Sequence, residues 1–256
     1  MMRKTLLLLI GLLALNTLWA ASLPQKYTEL LPYVQAAPDQ GDTNTCWFMA
    51  STGAMELLLN KRDQIKNPIP FGRYDLAESF LIWQNNFRDR ENPPQHFIEE
   101  VVKRFNYGEA IHQSAWPFHA YNSDGTTNDD VWNIHPNFKT LPRLQVPQVK
   151  TQLLFSRGRK YDTYVLKQED VQKVKEALVR TASPIIINYN DDGYWHVILI
   201  VGYDDTLKGD CYELDPDECN ELGSFYVRDS NGKRIESRAY NWFLIKANAA
   251  ATVGLK

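Results

Sequence analysis

Gln40-Gly41-Asp42-Thr43-Asn44-Thr45-Cys46-Trp47-Phe48-Met49-Ala50-Ser51, continued by Gly53-Ala54-Met55-Glu56, is a polar loop running into an apolar helix. Residues 43–60 read as helix because Cys46, Ala50, Gly53 and Leu57 recur at helical spacing, with Trp47, Ala54 and Leu58 beside them. Thr43 or Asn44 is the expected cap. Cys46 then falls in the first turn, where unpaired N–H groups and the helix dipole favour a thiolate. A thiolate is the reactive form of cysteine, although a lone cysteine in an apolar segment is more often inert core.

Upstream, the chain changes class. Arg3 and Lys4 precede Leu6–Leu15, an apolar run interrupted only by Gly11, and Ala20, Ala21 and Ser22 offer small residues for cleavage. That pattern predicts a secretory signal peptide over 1–22, too short in its apolar part to anchor in a bilayer. Removing residues 1–20 takes the net charge from -3 to -5. The expected location is secreted or periplasmic.

Downstream, Asp75-Leu76-Ala77-Glu78 predicts a capping box before a helix with Phe80, Leu81 and Trp83. Asn92-Pro93-Pro94 predicts the start of another, with Phe97, Val101 and Phe105 on one face and Gly108 as its stop. Residues 114–150 read as long surface loops. After them come short apolar stretches between Val146 and Val165, a helix over Gln168–Arg180, and strands over Pro184–Tyr189, His196–Tyr203, Phe225–Arg228 and Trp242–Ile245. A helical half preceding a sheet-forming half predicts α+β with two subdomains and a cleft between them. The expected division is 23–30 as a short N-terminal segment, 31–145 as the helical subdomain with the nucleophile, and 146–256 as the β-rich subdomain.

The composition agrees with a packed protein. Of 256 residues, 44% are hydrophobic and 12% aromatic, which excludes a disordered chain. A net charge of -3 argues against nucleic acid as partner. The three cysteines lack the paired spacing of a zinc site.

The segment around Cys46 closely resembles the nucleophile segment of papain-like cysteine peptidases. Asp75–Leu81, Tyr107-Gly108 and Trp116-Pro117-Phe118 resemble later landmarks of that family. Trp195-His196-Val197-Ile198-Leu199-Ile200-Val201-Gly202-Tyr203 is similar to the strand carrying its catalytic histidine, and Phe225-Tyr226-Val227-Arg228-Asp229-Ser230-Asn231-Gly232 to the strand end carrying the orienting residue. The resemblance runs from about residue 31 to the C-terminus. It implies a papain-like fold with a β-barrel-like C-terminal half, and four site residues. Cys46 would be the nucleophile, His196 the base, Asp229 the residue that orients it, and Gln40 an oxyanion-hole donor. A weak nucleophile does need an adjacent base, and the base needs a group to hold its orientation. His96, His112, His119 and His135 begin no comparable strand and are expected to be structural or surface histidines.

The sequence departs from that family in three places. Asp229 stands where Asn is usual, and Asn231 where a Trp normally shields the histidine. Thr43 replaces a disulfide cysteine, while Cys211 and Cys219 remain to pair with each other. Pro94-Gln95 stands where the family carries a glycine pair along the substrate cleft. Little room is left for an inhibitory prosegment, unless residues 23–39 block locally. The function expected is an exported cysteine peptidase acting as a monomer on peptide or protein, with no metal or organic cofactor and no membrane association after cleavage. The alternatives are an amidase or acyltransferase acting on a non-protein amide such as a cell-wall peptide, or a non-catalytic binding protein on the same fold.

Overall fold

The computed structural model describes residues 22–84, 106, 108–157, 166–191, 194–212, 214–219 and 221–256. The expected signal peptide up to Ala21, the helix expected around Phe97–Phe105, and Pro94-Gln95 lie outside the described residues. So does the Cys219 side chain, and with it the expected Cys211–Cys219 bridge.

The chain begins with a short strand, β1 (Lys26–Tyr27), and a 3-10 turn at Leu31–Tyr33. The long helix α1 (Cys46–Arg62) follows, starting later than residue 43. Neither expected cap acts as one: Thr45 holds the N-cap position without a side-chain bond, and Asn44 sits at φ 55°. Cys46 through Asn60 are all buried, so α1 is a central helix with no solvent face. Helix α2 (Glu78–Gln84) packs on it. The expected Asp75 cap is replaced: the Asp75 carboxylate accepts from the Phe71 N–H.

The region expected as loops is mostly irregular. Strands β2 (Glu109–Ala110) and β3 (Leu144–Gln145) pair, and 3-10 turns occur at Asp129–Trp132 and Phe138–Thr140. Strand β4 (Val149–Ser156) then enters the main sheet, and α3 (Gln168–Thr181) buries Val171, Val174 and Leu178 as its spacing requires. β5 (Ile185–Asp191), β6 (Tyr194–Asp204) and β7 (Ser224–Arg228) contain the strands expected over Pro184–Tyr189, His196–Tyr203 and Phe225–Arg228, and β8 (Glu236–Ala239) is a strand the sequence reading did not expect.

Trp242–Ile245, expected as a strand, lies in helix α4 (Tyr240–Lys246). Ala239, Trp242, Phe243 and Ala247 are buried while Ile245 is exposed, which is a helical spacing rather than alternation. The strand is instead β9 (Ala247–Leu255), rich in alanine and set between β4 and β5. Alanine is depleted in strands generally, so the pattern did not announce one.

The sheet is antiparallel in the order β4-β9-β5-β6-β7-β8, with β1 added to β6. It is open, with β4 and β8 as its edges, so the expected barrel-like closure is not found. Helix α1 packs against β6, which places the start of the helix beside the start of the strand. Among the described residues, no helix is long and apolar enough to cross a membrane.

Candidate active site

Cys46 is the first residue of α1 and is a buried free thiol. Its backbone N–H occupies a position with no intrahelical acceptor. The Cys46 Sγ lies 4.0 Å from the Trp195 carbonyl oxygen. The next residue, His196, therefore meets the helix start from the opposing strand, although 150 positions separate the two in sequence.

His196 Nε2 lies 2.7 Å from Asp229 Oδ1, at the end of β7. With Nε2 committed there, Nδ1 is the nitrogen that faces sulfur. The ring is held from a third side by Tyr189, its cross-strand partner on β5, in an edge-on contact at 5.2 Å. Burial works against a charge on the imidazole, but hydrogen bonds to Asp229 and to Cys46 outweigh it and raise its pKa to about 10. The Asp229 carboxylate is itself partly opposed by burial. The bond to His196, the Ser230 N–H and Arg238 nevertheless hold it below the ordinary carboxylate range.

Gln40 is fastened to the same strand end. Its N–H donates to the Ser230 carbonyl at 2.9 Å, and its amide oxygen accepts from the Ser230 hydroxyl at 2.6 Å. Fixing the oxygen leaves the amide N–H₂ as the end available to the cleft. Asp39 and Asn231 form a bridge alongside. The Thr43 hydroxyl donates to the Gln40 carbonyl at 2.6 Å and lies 2.8 Å from the Thr45 hydroxyl. Thr43 thus tethers the loop by hydrogen bonds.

The structure therefore brings Cys46, His196, Asp229 and Gln40 together. It leaves His112 on a loop, bonded to the Gly72 carbonyl and Ser114, and His135 against the Trp116 ring. His96 lies outside the described residues.

Sequence reasoning missed three supporting residues. Ser230 follows Asp229 directly, but nothing in its spacing says that it faces Gln40. Arg238, on β8, is buried and donates to Asp229 Oδ2 at 3.4 Å and to Glu236 at 3.0 Å. Trp242 packs 4.7 Å from the Tyr189 ring and 6.0 Å from the Arg238 guanidinium. Together with Tyr189, this tryptophan from α4 gives aromatic cover at the neighbours of the His196–Asp229 pair. Asn231, which occupies the shielding position in sequence, bonds Glu236 on the surface instead.

Arg228, one residue before Asp229, links the two halves. Its guanidinium donates to the Gln35 carbonyl, to the Met49 carbonyl in the first turn of α1, and to Glu56, at 2.8, 2.7 and 3.2 Å. Glu56 is fully buried. Desolvation, opposed by Arg228 and reinforced by Asp75, raises its pKa to about 7. Burial and the neighbouring Glu56 push Glu78 well above the usual range too.

No family model and no curated protein matches the sequence. Solved structures do. The clostridial cysteine protease Cwp84, after propeptide cleavage, superposes with a TM-score of 0.59 at 16% identity, over 90% of this chain and 58% of that one. The fold is that of papain-like cysteine proteases. Digestive procathepsin L2 proteinase from Tenebrio molitor larval midgut gives a TM-score of 0.55 at 14% identity, over 92% of this chain and 70% of that one. The bromelain protease from Ananas comosus gives 0.55 at 12% identity, over 91% of this chain and all of bromelain. This chain thus spans little more than half the length of Cwp84. The likeness takes in 90% or more of this chain in each case.

Proposed function

We propose that the protein is an exported cysteine peptidase that cleaves peptide bonds through Cys46, and that it acts as a monomer in the periplasm or outside the cell. The observation that carries the reading is the convergence of Cys46, His196 and Asp229. A sulfur nucleophile, an imidazole and a carboxylate meet where a helix start faces a strand. The Cys46 thiolate attacks the carbonyl carbon and forms a C–S bond. The Gln40 amide N–H₂ and the Cys46 backbone N–H stabilise the oxyanion. Protonated His196 gives its proton to the departing amine nitrogen as the C–N bond breaks, leaving an acyl-thioester. Water then attacks the thioester, His196 takes a proton from it, and the thiolate leaves. Asp229 holds the ring throughout, and Arg238 and Ser230 hold Asp229 and Gln40.

The test is incubation of the protein with a diverse peptide library beside its Cys46→Ala variant. New termini with wild type and none with the variant are expected. An intact library with wild type, while muropeptides are consumed, would replace the peptidase reading with a cell-wall amidase.

A further inference from the structure

A cavity of about 460 Å³ opens on the helical side of the molecule, lined by Trp116, Val131, Ile134, Asn128, Asp130 and His135 among others. That size suits a binding pocket for a side chain or small ligand. Its position relative to the cleft follows from a hairpin. Tyr121 and Thr127 pair across a turn closed by Asn122, Asp124 and Thr126, and the Asn128 N–H donates to the Ala120 carbonyl at 2.8 Å. At one end of this hairpin, the Tyr121 phenol lies against Gly41, the residue after Gln40. A Cβ at Gly41 would fall 2.4 Å from both Cζ and the hydroxyl oxygen of Tyr121. At the hairpin's base, Asn128 lines the cavity. The next element, the 3-10 turn Asp129–Trp132, lines it with Asp130 and Val131 and sets Trp132 edge-on against Phe48 of α1, at 6.2 Å. The cavity is thus one hairpin away from the loop bearing Gln40.

Charge selects what the cavity takes. Residues 105–138 contain Glu109, Asp124, Asp129 and Asp130 and no Lys or Arg. With histidines counted as neutral, Asp130 is the only charged side chain that lines it among the described residues. One of its oxygens, Oδ1, accepts from the Asn133 side-chain amide at 2.7 Å, and the residue is exposed. The Trp116 ring, 5.5 Å from that of His135, also lines the cavity, and an indole face favours cations.

We infer that this cavity is a subsite for a cationic group, a primary ammonium or guanidinium, carried by the substrate chain several residues from the bond that is cut. The inference rests on the peptidase reading for its place in turnover, but not for binding itself. Two experiments separate them. Cys46→Ala protein is titrated calorimetrically with peptides in which one lysine is moved along the sequence, each paired with its norleucine counterpart. At one position the lysine peptide is expected to bind about fivefold more tightly, the scale of a partly exposed ion pair. Asp130→Asn, which keeps an amide oxygen for Asn133, should abolish that difference. Equal binding of every pair, or a lysine preference that survives Asp130→Asn, overturns the subsite. Wild-type turnover of the same peptides is the second readout. Lysine-dependent binding without turnover keeps the subsite and removes the peptidase. Turnover with no lysine preference does the reverse.

Discussion

The charge on Asp229 governs how far up the pH scale His196 keeps its proton. The imidazolium is favoured up to about pH 10 in the folded protein, against an ordinary value of 6.5. A raised histidine pKa contributes stability that is complete below the unfolded value and is lost as pH climbs through the folded one. The proposed mechanism needs the thiolate beside protonated His196, so the alkaline limb of the pH–rate profile should report the loss of that proton. Asp229→Asn keeps an acceptor and removes the charge. It should retain activity within about tenfold and move the alkaline limb to lower pH. Asp229→Ala leaves Nε2 without a partner and should lose on the order of 100-fold in kcat. A variant Asp229→Ala that matches wild type across the whole profile would make Asp229 a turn residue. The meeting of Cys46, His196 and Asp229 was legible in the sequence because each lies at or beside the start or end of a recognisable element. Ser230, Arg238 and Trp242 were not, since their parts depend on which side chains two distant strands and a helix turn toward each other.

A single side chain joins the helix bearing the thiol to the strand bearing the carboxylate. Arg228 from β7 passes under α1 and reaches the Met49 carbonyl, and it fits only because position 53 has no side chain. A Cβ at Gly53 would lie 2.1 Å from the Arg228 Nη1. Helix propensity alone favours Gly53→Ala by about 1 kcal/mol. Packing opposes it. The displaced guanidinium would leave Glu56 and two buried carbonyls short of a donor. Overpacking of this kind costs about 1–3 kcal/mol before those losses. The expected outcome is a lower urea midpoint together with reduced turnover. A stabilised, fully active Gly53→Ala protein would show that the linkage is dispensable. The same element explains what was legible. The spacing Cys46-Ala50-Gly53-Leu57 identified α1 as a helix, and the apolar runs of β5 and β6 identified strands. Four consecutive apolar residues at Trp242–Ile245 fit either period, and burial at positions 239, 242, 243 and 247 decides for helix. The alanines of β9 carry no strand signal alone; their small side chains suit a strand flanked on both sides and buried along nearly its whole length.

At the scale of the whole molecule, the segment ahead of α1 is part of the folding unit. β5 pairs with β6 as far as Ile200, and beyond it β1 takes up the pairing, Tyr27 with Tyr203 and Lys26 with Asp204. Gly202 lets the Tyr27 carbonyl approach to where a Cβ would stand only 2.5 Å from it. The Tyr203 hydroxyl donates to the Pro24 carbonyl at 2.7 Å, and Tyr27 and Leu30 are buried in the main core. Further along, the carbonyls of Leu31 and Val34 accept from Arg234, and that of Gln35 accepts from Arg228. Sequence alone could not separate a scaffold from a small inhibitory segment here, because two residues of strand carry no periodicity. The two roles predict opposite outcomes for a chain that begins at Leu31 instead of Ser22. Loss of an inhibitory segment raises turnover and leaves the unfolding midpoint in place. Loss of scaffold removes the burial of Tyr27 and Leu30, at about 1.5–3 kcal/mol each, and leaves the Tyr203–Asp204 end of β6, the strand that carries His196, without its β1 partner. Deletion of residues 22–30 should therefore lower both the urea midpoint and the turnover. An unchanged midpoint with faster turnover would assign the segment to inhibition.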